Sequence, residues 1–294
     1  MNADKEKWVL LIILSIIWGS SFILIKKSLD HFNPFQVGSL RVLIAGIILL
    51  PVAISNYRLF PKKHLKWLIL AALTGNFIPM FLFPIAETQV SSSIAGIINS
   101  MMPIFVIIVG ALIWKFETTK KQIIGTLVSF TGVCILAFGG GDSGQFKLIP
   151  ILLLLLATLC YAVSTTTVKS KLMEVSSTVL SAFIFSFVLI FPSLIALTGT
   201  GFFSEFSFSR DNMLGLMFVS ILSIFGTGLA MMMNYRLLKV SSPLFASTVT
   251  LVMPIVAIIW GIIDGEKLTY LQFIGAGVII AGLIFLRTNQ KKLK

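Results

Sequence analysis

The chain writes one pattern twice, and that repetition limits what it can fold into. From Ile94 to Phe138 two apolar runs follow each other, with Pro103 inside the first, Glu117 at its end, Gln122 and Gly125 opening the second, and Gly132 farther along. From Leu244 to Leu286 the same order returns as Pro254, Glu266, Gln272, Gly275 and Gly282. The glutamine and both glycines recur after 150 residues, the proline after 151 and the glutamate after 149, as short indels in connecting turns would produce. The opening parts of the copies match more weakly: Trp18, Ser21 and Lys26 stand opposite Tyr161, Ser164 and Lys169 at an offset of 143. We read the chain as a duplicated unit, residues 1–140 and 141–294.

Each unit consists of apolar runs too long and too uncharged for a water-soluble core. Ten are placed: Trp8–Ile25, Phe35–Ile54, Leu65–Ile85, Ile94–Trp114, Gln122–Phe138, Leu148–Val168, Val179–Leu197, Met213–Tyr235, Leu244–Ile263 and Tyr270–Leu286. A run of about 20 residues at about 1.5 Å per residue spans the roughly 30 Å hydrocarbon layer. Composition agrees: 57% of residues are hydrophobic and 12% charged, with mean hydropathy +1.01, whereas soluble domains carry charge at about a quarter of positions. The expected class is an all-α polytopic membrane protein with ten transmembrane helices as two inverted five-helix repeats. The run starting at Trp8 has no small-residue cleavage site after it and is expected to be a retained span.

Orientation follows from the basic residues, which concentrate in cytoplasmic loops. With the amino terminus inside, seventeen Lys and Arg fall at cytoplasmic ends and five at outer ends. Both termini are thus expected in the cytoplasm of a multi-pass cell-membrane protein. This asymmetry accounts for the net charge of +12 without a nucleic-acid partner. Five crossings per copy make the copies start on opposite faces, related by a pseudo-twofold axis in the membrane plane. Copies so related exchange conformations by trading which is tight and which is open, the requirement for alternating access. Cys134 and Cys160 both lie in apolar runs, without disulfide or metal spacing, and read as small core hydrophobes.

The residues carry a resemblance. Trp18–Phe22 (WGSSF) followed by Lys26, Leu40–Gly46 (LRVLIAG), Gly226–Pro243 (GTGLAMMMNYRLLKVSSP) and the twice-written Pro, Glu, Gly, Gly order resemble the EamA-like, ten-helix members of the drug/metabolite transporter superfamily. The similarity runs along nearly the whole chain. It implies a bundle with a substrate path between the halves, and export or exchange of small metabolites, amino acids or drugs. Tyr161 and Ala162-Val163 depart from the Trp and Gly-Ser of the first copy.

Within the runs, Pro103 and Pro254 have no N–H for the carbonyls of Asn99 and Thr250, so a kink and a freed carbonyl beside a polar side chain are expected at each. Asn99 and Thr250 thus become a pseudo-symmetric pair of candidate binding residues. Trp18 and Ser21, with Ser20, on the first span, Asn76 and Met80 on the third, Tyr161 and Ser164 on the sixth, and Thr227 and Met231 on the eighth complete the candidate lining. Small and hydroxylated residues also serve close helix packing in lipid, and that alternative stands beside the functional one. Lys26, Arg41 and Glu87 form a charged group toward the outer side. Arg41 is a candidate for an anionic substrate group, with pairing to Glu87 as the alternative. Glu117 and Glu266 read as structural charges near helix starts.

Several chemistries are disfavoured. Ser20 and Ser21 have no histidine in any span to act as base, so an intramembrane hydrolase, and an enzyme in general, is not expected. The Gly139–Gly144 cluster has Gln145 where a phosphate loop needs lysine. No Asp or Glu lies mid-span, which argues against a buried carboxylate proton relay and for a facilitator, an exchanger or coupling through the substrate's own charge. No metal site or cofactor is expected. The partners expected are a small-molecule substrate and the lipid bilayer, for a monomer or homodimer. A solute-selective channel or sensor on the same scaffold is the alternative function.

Overall fold

The computed structural model describes residues 3–90, 92–139, 148–263 and 269–286. Lys147, Lys267, Glu266, most of the glycine cluster with Gln145, and the basic tail from Arg287 lie outside the described residues. The described residues form ten long helical segments, several interrupted. They are α1 (Ala3–Leu29), α2 (Pro34–Ser55), α3 (Lys62–Glu87), α4 (92–114), α5 (Lys120–Gly139), α6 (Leu148–Lys171), α7 (Ser177–Thr198), α8 (Arg210–Val240), α9 (243–263) and α10 (Tyr270–Leu286). Among them seven, α1–α4 and α6–α8, are long and apolar enough to cross a membrane. In α9 and α10 the apolar stretches are shorter, Pro243–Val256 and Phe273–Phe285. Several helices overrun their apolar runs, α1 and α8 at both ends, because residues such as Lys5, Arg236 and Lys239 continue the hydrogen-bond ladder past the hydrophobic stretch.

Local sequence explains the helix starts. Asn33 closes a capping box with Gln36 ahead of α2, with Pro34 at the first helical position. Ser176, Ser209 and Ser242 accept from the backbone N–H three residues on and so start α7, α8 and α9. Polar side chains turn inward: Ser15, Asn76, Thr158, Thr166 and Thr227 are buried. Large apolar ones turn outward, among them Ile16, Ile47, Leu112, Phe191 and Phe285. That distribution suits hydrocarbon as the surrounding solvent, to which apolar side chains on helices present no unmet polar group.

The duplicated glycines make a close helix contact. A Cβ on Gly132 would lie 2.8 Å from Gly275 O, and one on Gly282 would lie 2.7 Å from Gly125 O. Each glycine of one copy therefore meets the other glycine of its counterpart, the reciprocity of a twofold interface. Gly125 pairs with Gly282 and Gly132 with Gly275, so residue numbers rise on α5 as they fall on α10: the two helices are antiparallel. Ser129 Oγ adds a hydrogen bond to Ile279 O at 3.1 Å. Small residues let the backbones approach.

Two further antiparallel pairs cross between the copies. α1 lies along α8, fastened by Glu6 to Arg236 (2.5 Å) near one end, while just beyond its other end His31 Nδ1 lies 2.9 Å from Asp211 Oδ1. α6 lies along α3, with Ser164 Oγ donating to Ala71 O (3.0 Å) and Tyr161 stacked on Phe83 at 5.9 Å between centroids. The first helix of each copy thus packs on the third helix of the other.

Candidate functional site

Where these pairs meet, the helices part around a cavity of about 90 Å³. Its walls come from α1, α2, α3 and α4 of the first copy and α6, α8 and α9 of the second. Interrupted helices build much of it. In α3 the ladder widens to a π-turn over Leu73–Phe77, and in α8 over Ile224–Leu229; a third π-turn, Phe183–Leu189, lies in α7 away from the cavity. Gly75 and Gly226 sit in the first two turns at the constant offset of 151. A π-turn adds a residue to one turn and aims its side chains off the regular helix face, a feature common at functional sites.

At these two glycines the first helix of the other copy presses close. A Cβ on Gly226 would lie 2.8 Å from Ser21 Oγ, and one on Gly75 2.8 Å from Ser164 Cβ. Trp18 Nε1 donates to Gly226 O at 2.9 Å, holding the indole against the loosened turn.

The prolines interrupt the fourth and ninth segments differently. Pro103 stands in the first turn of the piece Met102–Trp114, after a break at Ser100 and Met101 that ends Ser92–Asn99. This is an interruption in place of a bend in one continuous helix, because a proline is accommodated without loss at a first turn. Pro254 lies inside Val249–Ile263. The carbonyl it leaves free, Thr250 O, accepts from Ser100 Oγ at 2.9 Å, so a residue of the first copy's break satisfies the second copy's proline.

Of the ten binding candidates, Trp18, Ser21, Asn76, Met80 and Asn99 line the cavity from the first copy. Tyr161, Ser164, Met231 and Thr250 line it from the second. Thr227 stands one layer behind, fully buried, accepting a hydrogen bond from Arg41 Nε at 2.7 Å. Arg41 itself lines the cavity and is 7% exposed. Glu87 and Tyr161 are near enough to act electrostatically on its charge. Lys26 is exposed and stands apart. Glu117 lines a second cavity described below.

Most of the lining comes in pseudo-symmetric pairs: Trp18 with Tyr161, Ser21 with Ser164, Gly75 with Gly226, Met80 with Met231, Asn99 with Thr250, and Met102 with Met253. Gly75 with Gly226 and Met102 with Met253 are not among the residues singled out in the sequence, although the 151-residue offset carries the signal for both pairs. Asn234 and Tyr235 were missed as well, since the apolar run ends there while the helix continues to Val240. Several of these polar groups have hydrogen bonds unmade. Asn99 Oδ1 has no donor, and the Asn76 amide and Tyr235 hydroxyl are neighbours without a hydrogen bond of good geometry. Buried polar atoms left in this way are costly, by about 1–3 kcal/mol each, unless a ligand or water meets them.

The second cavity, about 610 Å³, continues along the same helix faces. Lys169 lies one turn beyond Thr165 on α6, Lys239 one turn beyond Tyr235 on α8, and Val106 one turn beyond Met102 on α4. Its charged walls are Lys115, Lys169 and Lys239 against Glu117. Lys169 Nζ also ties down the end of α8, donating to Leu238 O (2.6 Å) and Ser241 O (2.7 Å).

The chain matches the model of the EamA-like transporter family twice, over residues 6–138 and 148–288. It is 27% identical over 282 residues to an uncharacterized transporter of Archaeoglobus fulgidus, covering 95% of this chain and 97% of that one. It is likewise 27% identical over 281 residues to the uncharacterized inner membrane transporter YedA of Escherichia coli (strain K12), covering 92% of this chain and 87% of the relative. A solved crystal structure superposes with a TM-score of 0.73 at 14% identity over 96% of each chain, a likeness of fold.

Proposed function

The chain belongs to the EamA-like transporter family, and from that premise we propose that it is a secondary transporter that moves small metabolites across the cytoplasmic membrane by alternating access, in export or exchange. In this reading residues 1–140 and 141–294 are two inverted repeats of five crossings each, and both termini face the cytoplasm. The antiparallel α5–α10 contact supports the inversion. The observation that carries the reading is the cavity: it is buried between the copies, lined by matched residues from each, and holds polar groups that no neighbour satisfies. A solute there touches both copies at once, so a tilt of one against the other opens it to one side and closes it to the other.

Counterflow in proteoliposomes, run with a panel of labelled amino acids, organic acids and amphipathic drugs, tests this. At least one member is expected to show saturable counterflow, and changing Asn99→Ala together with Thr250→Val is expected to reduce it at least tenfold while the protein remains monodisperse. Full counterflow in the double variant would move the binding site elsewhere, and ohmic current with no counterflow would make the protein a channel.

A further inference from the structure

Resting on that transport reading, we propose that the cavity takes a small monocarboxylate with an apolar body, with Arg41 as its counter-charge. Arg41 stands outside the matched pairs of the lining and is its one charged member among the described residues. At the offset of 143 that relates the first helices, Arg41 stands opposite Ile184, which is fully buried. The duplicated scaffold therefore packs at this position without a cation, and the charge is a feature of one copy added to a symmetric frame.

The guanidinium is held as a receptor for a carboxylate would be. Nε donates across the copies to Thr227 Oγ1 at 2.7 Å, and Thr227, within the π-turn, in turn donates to Leu222 O at 3.3 Å. One of the five donors is thus used to fix the plane, while the terminal nitrogens supply the paired geometry that suits two carboxylate oxygens. Among the described residues no acidic side chain lines the cavity; Glu87, which acts on the Arg41 charge, stands outside the lining. A cationic solute is repelled there, and a neutral one leaves a buried cation without a partner on the cavity side. One cation in the cavity matches one anionic group, which favours a monoanion over a dianion. Between the polar groups described above, the walls carry apolar and adaptable side chains that suit an apolar body: Met80, Met102, Met231 and Met253, with Phe22 and Phe83. The room of about 90 Å³ is less than the roughly 150 Å³ that accepts benzene, so the body is short or the methionines yield to it. The lysine-rich second cavity, one turn along the same helix faces, places positive potential at the approach and raises the local concentration of anions.

Three solutes of matched shape test the charge: isovalerate, its isosteric neutral amide isovaleramide, and the cation isoamylamine. Binding to the purified full-length protein is read by thermal shift, and transport by counterflow. Isovalerate is expected to bind at least tenfold more tightly than isovaleramide, with isoamylamine inert. Arg41→Gln is expected to abolish the difference between acid and amide, and Arg41→Lys to keep part of it. Thr227→Val, which frees Nε, is expected to weaken the acid several-fold relative to the amide, and serves should Arg41→Gln not fold. Equal binding of acid and amide by the wild type, or an acid preference that survives Arg41→Gln, overturns the inference and leaves Arg41 as a partner for Glu87. Counterflow of neutral solutes without acid preference overturns this inference alone; absence of counterflow for the whole panel overturns the transport reading beneath it.

Discussion

At the scale of single residues, the informative positions are those where backbone of one copy touches a small side chain of the other. Gly75 and Ser164 are such a pair, and Gly226 and Ser21 are its counterpart. Gly75→Ala drives a Cβ against Ser164, whose hydroxyl is tied to Ala71 O. We expect a loss of about 1–3 kcal/mol, measured as a fall in chemical-denaturation midpoint in detergent. Gly277, with nothing within 4 Å of a Cβ, is the control: Gly277→Ala is expected to be neutral or stabilising by up to about 1 kcal/mol. Part of this was legible beforehand. Trp18, Ser21, Asn99 and Thr250 stood out as polar or aromatic residues in apolar runs, and all four line the cavity. Tyr235 and Asn234 did not, because at the end of a run a polar residue reads as an interface residue. Thr227 looks like a lining residue in the sequence, yet its hydroxyl is turned to Arg41. A side chain's neighbour across 186 residues of sequence is not written in its own surroundings.

At the scale of elements, the interruptions matter more than the helices. The pairing of Ser100 Oγ with the carbonyl freed by Pro254 makes one copy's broken helix the support of the other's. Ser100→Ala is expected to destabilise by about 1 kcal/mol in the wild-type background. In a Pro254→Ala background, residue 254 regains an N–H for Thr250 O and the same change should lose most of its effect. A double-mutant cycle reads this coupling, and additive changes would refute it. The α5–α10 contact is stricter, since a Cβ on Gly282 meets the backbone of Ser129 at 2.5 Å and of Gly125 at 2.7 Å. Gly282→Val should therefore separate these helices and shift the protein to aggregates on size-exclusion chromatography. The prolines and glycines were visible in the sequence as repeated punctuation. The π-turns of α3 and α8 were not, because a widened turn differs from an α-turn by one hydrogen-bond register that composition does not encode.

At the scale of the whole molecule, the reading stands on how two copies of one unit sit against each other. In a background with Cys134 and Cys160 replaced by alanine, single cysteines at the exposed positions Arg58 and Lys171 are expected to react with an impermeant maleimide from the cytoplasmic side only. Cysteines at the exposed positions Lys27 and Phe208 are expected to react from the outside only. The reverse pattern for one copy alone would mean that the copies face the same way. By itself the sequence determined the apolar helical class, the duplication and the matching of positions between copies, because hydropathy, run length and offset are properties of the chain taken in a line. Only the tertiary structure decided that α1 lies on α8 and α6 on α3, that Arg41 reaches Thr227, and that paired residues from both copies enclose one cavity. Those outcomes depend on which helix faces come within a few ångströms across more than a hundred residues of chain, and helices that are apolar on nearly every side carry no linear record of the neighbour each face will choose.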